Sequence, residues 1–143
     1  DFFKIFYFFN YYIEVDAMTD LEREKIWDAL SDIFVDTEIE YIYITRHLKG
    51  FDIKEIKKIL FREVAPVCGG NLMCVAPPVW GCFNEEEVRA DIYTMLEKRK
   101  KSFFYRLVNE FCILFFRLFY RSSWLELEAK LQEESEASPE KPL

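Results

Sequence analysis

The residue types best suited to chemistry in this chain are four cysteines and one histidine. Cys68, Cys74 and Cys82 fall in one stretch, with five and then seven residues between them. Structural zinc sites use four ligands, usually in closely spaced pairs such as Cys-x2-Cys. Because these gaps do not fit that pattern, we interpret the three cysteines as small, partly buried apolar side chains. The sequence therefore predicts no metal and no cofactor.

The single histidine, His47, is the only candidate for histidine acid–base catalysis. It follows Arg46 near the predicted end of a helix, where a positive imidazole complements the helix dipole. No Ser or Cys nucleophile stands near it in a recognisable setting, although a Cys–His pair can assemble from distant residues. Gly69-Gly70 lacks the pattern of a phosphate-binding loop. We therefore expect no catalytic residue.

A long connection at 65–83 is the candidate functional loop. It contains three of the four glycines, three of the five prolines and three of the four cysteines. Such a long connection usually packs onto its domain or has a function. The residues chosen as candidates within it are Cys68, Asn71, Trp80 and Phe83. A small enzyme or ligand binder built on this loop is the alternative to a non-catalytic protein.

Helical signals surround this loop on both sides. Five possible capping boxes precede stretches with helical apolar spacing: Thr19/Glu22, Thr37/Glu40, Asp52/Glu55, Asn84/Glu87 and Ser123/Glu126. They predict helices over about 20–35, 38–48 and 53–64, then from 85 onward, and finally over 124–134. Gly50 is expected to end the second helix and Pro66 the third. The predicted fold is all-α, a bundle of about five to six helices with the long loop between helices three and four.

A basic run, Lys98-Arg99-Lys100-Lys101, leads into a Phe-rich stretch over 103–119. The pattern allows either a break near Ser102 or one continuous helix. We expect this stretch to be the most buried helix of the bundle, with any uncovered apolar surface serving to bind a partner. The candidate residues for that surface are Phe103, Phe104, Phe116 and Phe119. The alternative is an amphipathic helix that lies on a membrane surface.

Composition and charge bound the remaining possibilities. The net charge is −7, which argues against nucleic acid as a partner. Residues 1–17 are mostly aromatic and apolar; we interpret them as an upstream extension or an amphipathic arm. Residues 18–134 are expected to form the single domain, and 135–143 a disordered tail. Without a recognisable signal peptide, the expected compartment is the cytoplasm, with reduced thiols.

Several segments resemble a small uncharacterised family of bacterial domains of unknown function. They are IWDALSDIFVDTE at 26–38, EVAPVCGGNL at 63–72, and WLELE at 124–128. The resemblance spans roughly 18–132 and implies an α-helical cytoplasmic protein of bacteria. It transfers no activity and no catalytic residue. The function that we expect is a non-catalytic protein-interaction module whose partner is another protein.

Overall fold

The computed structural model describes residues 18–35, 38–70 and 83–137. Within these ranges the chain is all-helical, with six helices and no strand, so the predicted fold class is confirmed. The bounds are α1 Asp20–Ser31, α2 Tyr41–His47, α3 Ile53–Cys68, α4 Glu85–Lys101, α5 Phe103–Phe119 and α6 Arg121–Ala137. A 3-10 turn, Asp32–Phe34, extends α1. The predicted loop between α3 and α4 lies mostly outside the described residues.

The start of α1 is fixed by its capping box, as the sequence predicts. The Thr19 hydroxyl accepts from the Glu22 backbone N–H at 3.2 Å, and the Glu22 carboxylate accepts from the Thr19 N–H at 3.4 Å. One face of the helix is then fully buried in the core through Ile26, Trp27 and Leu30. Helical spacing of apolar residues was therefore a reliable guide to the buried side of α1.

The second helix begins later than predicted, at Tyr41, because residues 38–40 are not helical. Its N-cap residue, Glu40, makes no side-chain capping hydrogen bond, and the expected cap, Thr37, lies outside the described residues. At the other end, Gly50 adopts φ +92°, the left-handed conformation expected of a glycine after a helix. The Gly50 prediction is confirmed.

The third helix continues past Pro66, where the sequence predicted its end. It consists of an α segment, Ile53–Ile59, a π segment, Leu60–Val64, and a final α segment, Ala65–Cys68. Proline removes one backbone donor from a helix. The π segment just before Pro66 changes the hydrogen-bond register, with the Ala65 N–H donating to the Leu60 carbonyl. The Arg99 guanidinium from α4 contacts the same turn by donating to the Arg62 carbonyl.

The Phe-rich stretch is a helix of its own. Ser102 is extended, at φ −125° and ψ 118°, and its hydroxyl accepts from the Tyr105 N–H at 3.2 Å, so it separates α4 from α5 and caps α5. The last helix starts at Arg121; Ser123 therefore lies inside α6 and does not cap it. Residues 135–137, predicted as part of the tail, belong to α6.

The core is formed mainly by α1, α3, α4 and α6. Its largest fully buried side chains include Trp27, Phe34 and Phe61. On α5, by contrast, only Asn109 and Ile113 are buried. The prediction that 103–119 is the most buried helix of the bundle is therefore wrong.

Candidate functional site

The most unusual surface of the described structure is what we term the outer face of α5. Its apolar side chains are each between 45% and 77% exposed. They are Phe103, Phe104, Leu107, Val108, Phe111, Leu114, Phe115, Leu118 and Phe119. Contiguous exposed apolar surface of this kind marks binding sites on soluble domains. We therefore take the outer face as the candidate functional site.

An ordinary amphipathic helix turns its apolar side to the core, whereas α5 turns its broad apolar side outward. Phe104, Leu107, Phe111, Leu114 and Leu118 recur at steps of three and four, so they form one continuous stripe. The inner side instead presents Asn109 and Ile113 to the core, followed by Tyr120 just beyond the helix. The polar Asn109 faces inward, and five of the six phenylalanines of α5 face outward.

Polar contacts on the inner side explain this orientation. The Asn109 amide oxygen accepts from Arg99 Nε at 2.5 Å, and the Glu110 carboxylate pairs with Arg62. Beyond the helix, the Tyr120 hydroxyl donates to the Gly69 carbonyl at 2.5 Å. These contacts join α5 to the end of α4 and to α3. These polar contacts hold α5 in place, although the helix itself makes few apolar contacts with the core.

Arg99 is central to this arrangement. Besides Asn109, its guanidinium donates to the Arg62 carbonyl, and the Arg99 carbonyl accepts from Arg106 at 3.0 and 3.1 Å. Desolvation is the main cause that lowers the pKa of Arg99, followed by the nearby charge of Arg62. The cation is held because neighbouring oxygen acceptors replace its lost hydration.

Positive charge borders the outer face. Residues 98–121 hold seven Lys or Arg residues and one acid, a net charge of +6. Because the whole chain carries −7, the remaining residues carry −13. Six of the seven basic side chains are exposed: Lys98, Lys100, Lys101, Arg106, Arg117 and Arg121. The single acid, Glu110, is paired with Arg62, and that hydrogen bond is the main cause that lowers its pKa.

A shallow groove lies beside this face and involves the same ion pair. It has a volume of about 280 Å³ and is lined by Arg62, Glu110, Arg117 and the apolar residues Leu107, Phe111, Ile113 and Leu114. The groove joins an apolar floor to a charged edge. A bound surface could thus make both apolar and ionic contacts along this side of α5.

The candidate residues of the predicted loop separate into two groups. Cys68 is buried at the end of α3, and Phe83 is half-buried and packs against the core. Asn71 and Trp80, like Cys74 and Cys82, lie outside the described residues. The described part of this stretch therefore contributes packing to the core.

Cys68 and His47 are poorly placed for nucleophilic catalysis. Burial raises the pKa of Cys68 to about 12, so this thiol stays protonated at neutral pH. His47 is exposed on α2, and its Nδ1 lies 2.8 Å from the Tyr43 carbonyl oxygen. Among the described residues, no group of three or more His, Cys, Asp or Glu side chains is arranged to hold a metal ion.

Three of the four residues predicted to form the partner surface lie on the outer face, and the fourth does not. Phe103, Phe104 and Phe119 belong to the outer face. Phe116 is partly buried against the core, and one of its ring carbons would be 2.9 Å from a Cβ added at Gly69. Sequence reasoning missed Arg99 and Asn109 as the residues that set the orientation of α5. The one usable signal was Asn109, a polar residue four positions before the buried Ile113.

None of the helices within the described residues is long and apolar enough to cross a membrane. With 17 residues, α5 is about 25 Å long.

These features define a small all-helical domain with an apolar, basic-edged surface helix. A family model described as Domain of unknown function (DUF7079) matches residues 21–130, and the chain belongs to that family. The predicted resemblance to a domain of unknown function is thereby confirmed. No curated protein and no solved structure matches the chain.

Proposed function

We propose that this domain is a non-catalytic interaction module that works by docking through the outer face of α5. The observation that carries the proposal is the exposure of nine large apolar side chains on one helix. Burying such side chains stabilises a complex by about 25 cal/mol per Å² of apolar area removed from water. The outer face is therefore a surface from which docking gains free energy.

The chemistry of the described residues supports a binding role over a catalytic one. A nucleophilic cysteine needs a lowered pKa, whereas the pKa of Cys68 is raised by burial. The pKa of Tyr120 is likewise raised, to about 12, chiefly by desolvation, and its hydroxyl is already engaged with Gly69. These groups contribute to the packing of the domain.

The docking proposal is tested by site-specific photocrosslinking in cells that produce the protein. A photoreactive phenylalanine analogue replaces Phe104, Phe111 or Leu118, one at a time. The matched control places the same analogue at Leu21 on α1, because Leu21 and Leu118 are both 71% exposed. Because Leu118 and Leu21 are equally exposed, a difference in crosslinking yield between them reflects what contacts the outer face. It does not reflect how accessible the two side chains are.

We expect adducts from the three outer-face positions and few from Leu21. Mass spectrometry of the adducts would also identify whether the occupant is a lipid, another protein or a second copy of the chain. Equal yields at all four positions, or no adduct at any of them, would overturn the proposal.

A further inference from the structure

We infer that the occupant of the outer face is the surface of an anionic lipid bilayer. This inference rests on the proposed docking function, and it adds the chemical class of the docking partner. It is carried by the combination of exposed aromatic side chains on α5 with exposed basic side chains at the end of α4, on α5 and at the start of α6. Interfacial helices bind anionic membranes through these two features together.

The charge around the outer face is complementary to an anionic surface. Lys98, Lys100 and Lys101 are exposed at the end of α4, directly before the exposed Phe103 and Phe104. Farther along, Arg106, Arg117 and Arg121 are exposed on α5 and at the start of α6. Basic residues near an anionic bilayer each strengthen binding by about five-fold. The net +6 of residues 98–121 therefore favours a surface with dense negative charge.

Charge segregation also orients the molecule. The rest of the chain carries −13, including three consecutive acids, Glu85, Glu86 and Glu87, at the opposite end of α4 from the lysines. An anionic surface repels that end and attracts the end at which α5 begins. At physiological salt, charges farther away than about 8 Å are largely screened, so the nearest, basic residues dominate.

The apolar surface of α5 is also broad. A two-helix coiled coil needs a narrow stripe, whereas here Val108, Phe115 and Phe119 widen the stripe formed by Phe104, Phe111 and Leu118. A broad apolar face fits a helix that lies in the plane of a bilayer, sunk about 5–10 Å into the headgroup and acyl boundary. Phenylalanines at both ends of α5 would then lie at the same depth.

A second copy of the chain fits this face less well. One side of a helix about 25 Å long and 10–12 Å wide offers roughly 400 Å², whereas a stable dimer usually buries about 800 Å² per partner.

The inference is tested with the full chain and two kinds of vesicle in a flotation assay. One vesicle contains phosphatidylcholine alone, and the other contains phosphatidylcholine with phosphatidylglycerol. We expect flotation with the anionic vesicles, weakened by added salt, and little with the neutral ones. The variant Phe111→Trp supplies a second readout, a blue shift of fluorescence as the indole leaves water.

Two sets of variants separate charge from apolar contact. The triple reversal K98E/K100E/K101E should weaken partitioning by at least about 100-fold. Its control, K25E/K49E/K54E, makes the same change in net charge at exposed lysines on or beside other helices and should bind as the parent does. Leu118→Glu should weaken binding by about ten-fold or more, and Leu21→Glu should not.

The outcomes distinguish this inference from the docking proposal on which it rests. Anionic binding that is lost in the 98/100/101 reversal and kept in its control supports the inference. Equal binding to both vesicles, or none to either, overturns it. Photocrosslinking from the outer face to a protein or a second copy, with no vesicle binding, would leave docking in place and replace the lipid. Failure of both assays would remove both.

Discussion

The guanidinium of Arg99 donates a hydrogen bond to the carbonyl oxygen of Arg62. In a regular α-helix that carbonyl would accept from the N–H of residue 66, but residue 66 is proline and has no N–H. A side chain from α4 thus supplies a donor at the turn where the backbone of α3 lacks one. This contact lies next to the π segment that precedes Pro66, and it links that turn of α3 to the placement of α5 through Asn109.

Replacing Arg99 with alanine should destabilise the domain. The change removes the donor to the Arg62 carbonyl and to the buried amide of Asn109, leaving both in need of partners. An unpaired buried polar group costs about 1–3 kcal/mol, so we expect the free energy of unfolding to fall by about 2–4 kcal/mol for the two. Denaturant unfolding followed by circular dichroism measures the loss. Lys100→Ala is the control, because its exposed pair with Glu97 contributes less than about 1 kcal/mol; equal losses in the two variants would contradict the role of Arg99.

Glu63 is the buried acid of the core, with its side chain only 8% exposed. It pairs with Arg23 and accepts from Trp27 Nε1 at 3.1 Å. Glu63→Ala leaves Arg23 without this partner, and breaking a buried ion pair costs about 3–5 kcal/mol. Because Arg23 is itself partly exposed, we expect a loss of about 3 kcal/mol in thermal or denaturant unfolding. Glu110→Ala, at the exposed pair with Arg62, should cost less than about 1 kcal/mol. A smaller loss at 63 than at 110 would refute this reading.

The two adjacent glycines should respond differently to alanine. A Cβ at Gly69 would lie 2.5 Å from the Ala65 carbonyl oxygen and 2.9 Å from a ring carbon of Phe116, whereas one at Gly70 meets nothing within 4 Å. Overpacking of this kind costs about 1–3 kcal/mol. We therefore expect Gly69→Ala to lower the melting temperature and Gly70→Ala to leave it nearly unchanged. Equal effects would show that α5 does not pack tightly against this turn.

Asp32 should make the free energy of unfolding depend on pH. Its pKa is raised above 3.8, first by desolvation and then by the charge of Glu85, with smaller contributions of both signs from His47, Asp28 and Glu40. Asp32 also caps the C-terminal end of α1, where negative charge is unfavourable. The folded state therefore holds this proton more tightly than the unfolded state does, and ionisation of Asp32 removes stability as pH rises from 3.8 through the folded pKa.

Asp32→Asn should accordingly raise stability at neutral pH. We expect a gain of less than about 1 kcal/mol, because the site is partly exposed. The gain should vanish below pH 3.8, where Asp32 is protonated in both states. Urea unfolding of both proteins across this pH range provides the measurement. A gain that persists unchanged in acid would point to a cause other than the charge.

Local signals in the sequence predicted much of the helical framework. The capping box at Thr19 and the left-handed Gly50 depend on neighbouring residues, and both are where the pattern placed them. The same reasoning failed at Ser123, because a serine followed by an acid three residues later also occurs inside a helix. A capping pattern specifies compatible geometry and does not exclude an earlier start.

The features that depend on distant residues were not predictable in this way. Pro66 was expected to end α3, and the donor from Arg99 comes from another helix. Helical periodicity likewise identified the apolar stripe of α5 but assigned it to the core. The side on which α5 packs depends on Asn109 and its partner Arg99. Periodicity identifies which residues share a face, and tertiary contacts decide where that face points.

The reversed orientation of α5 has a consequence for how this domain can evolve. Because the outer face makes little contact with the core, substitutions there should change the free energy of unfolding only slightly. Selection on these residues should therefore act mainly through the function of the surface. The inner residues Asn109 and Ile113 are constrained by folding. A relative with a polar outer face could share the architecture but would lack the proposed docking surface. We therefore expect the two sides of α5 to differ in how strongly substitutions affect folding.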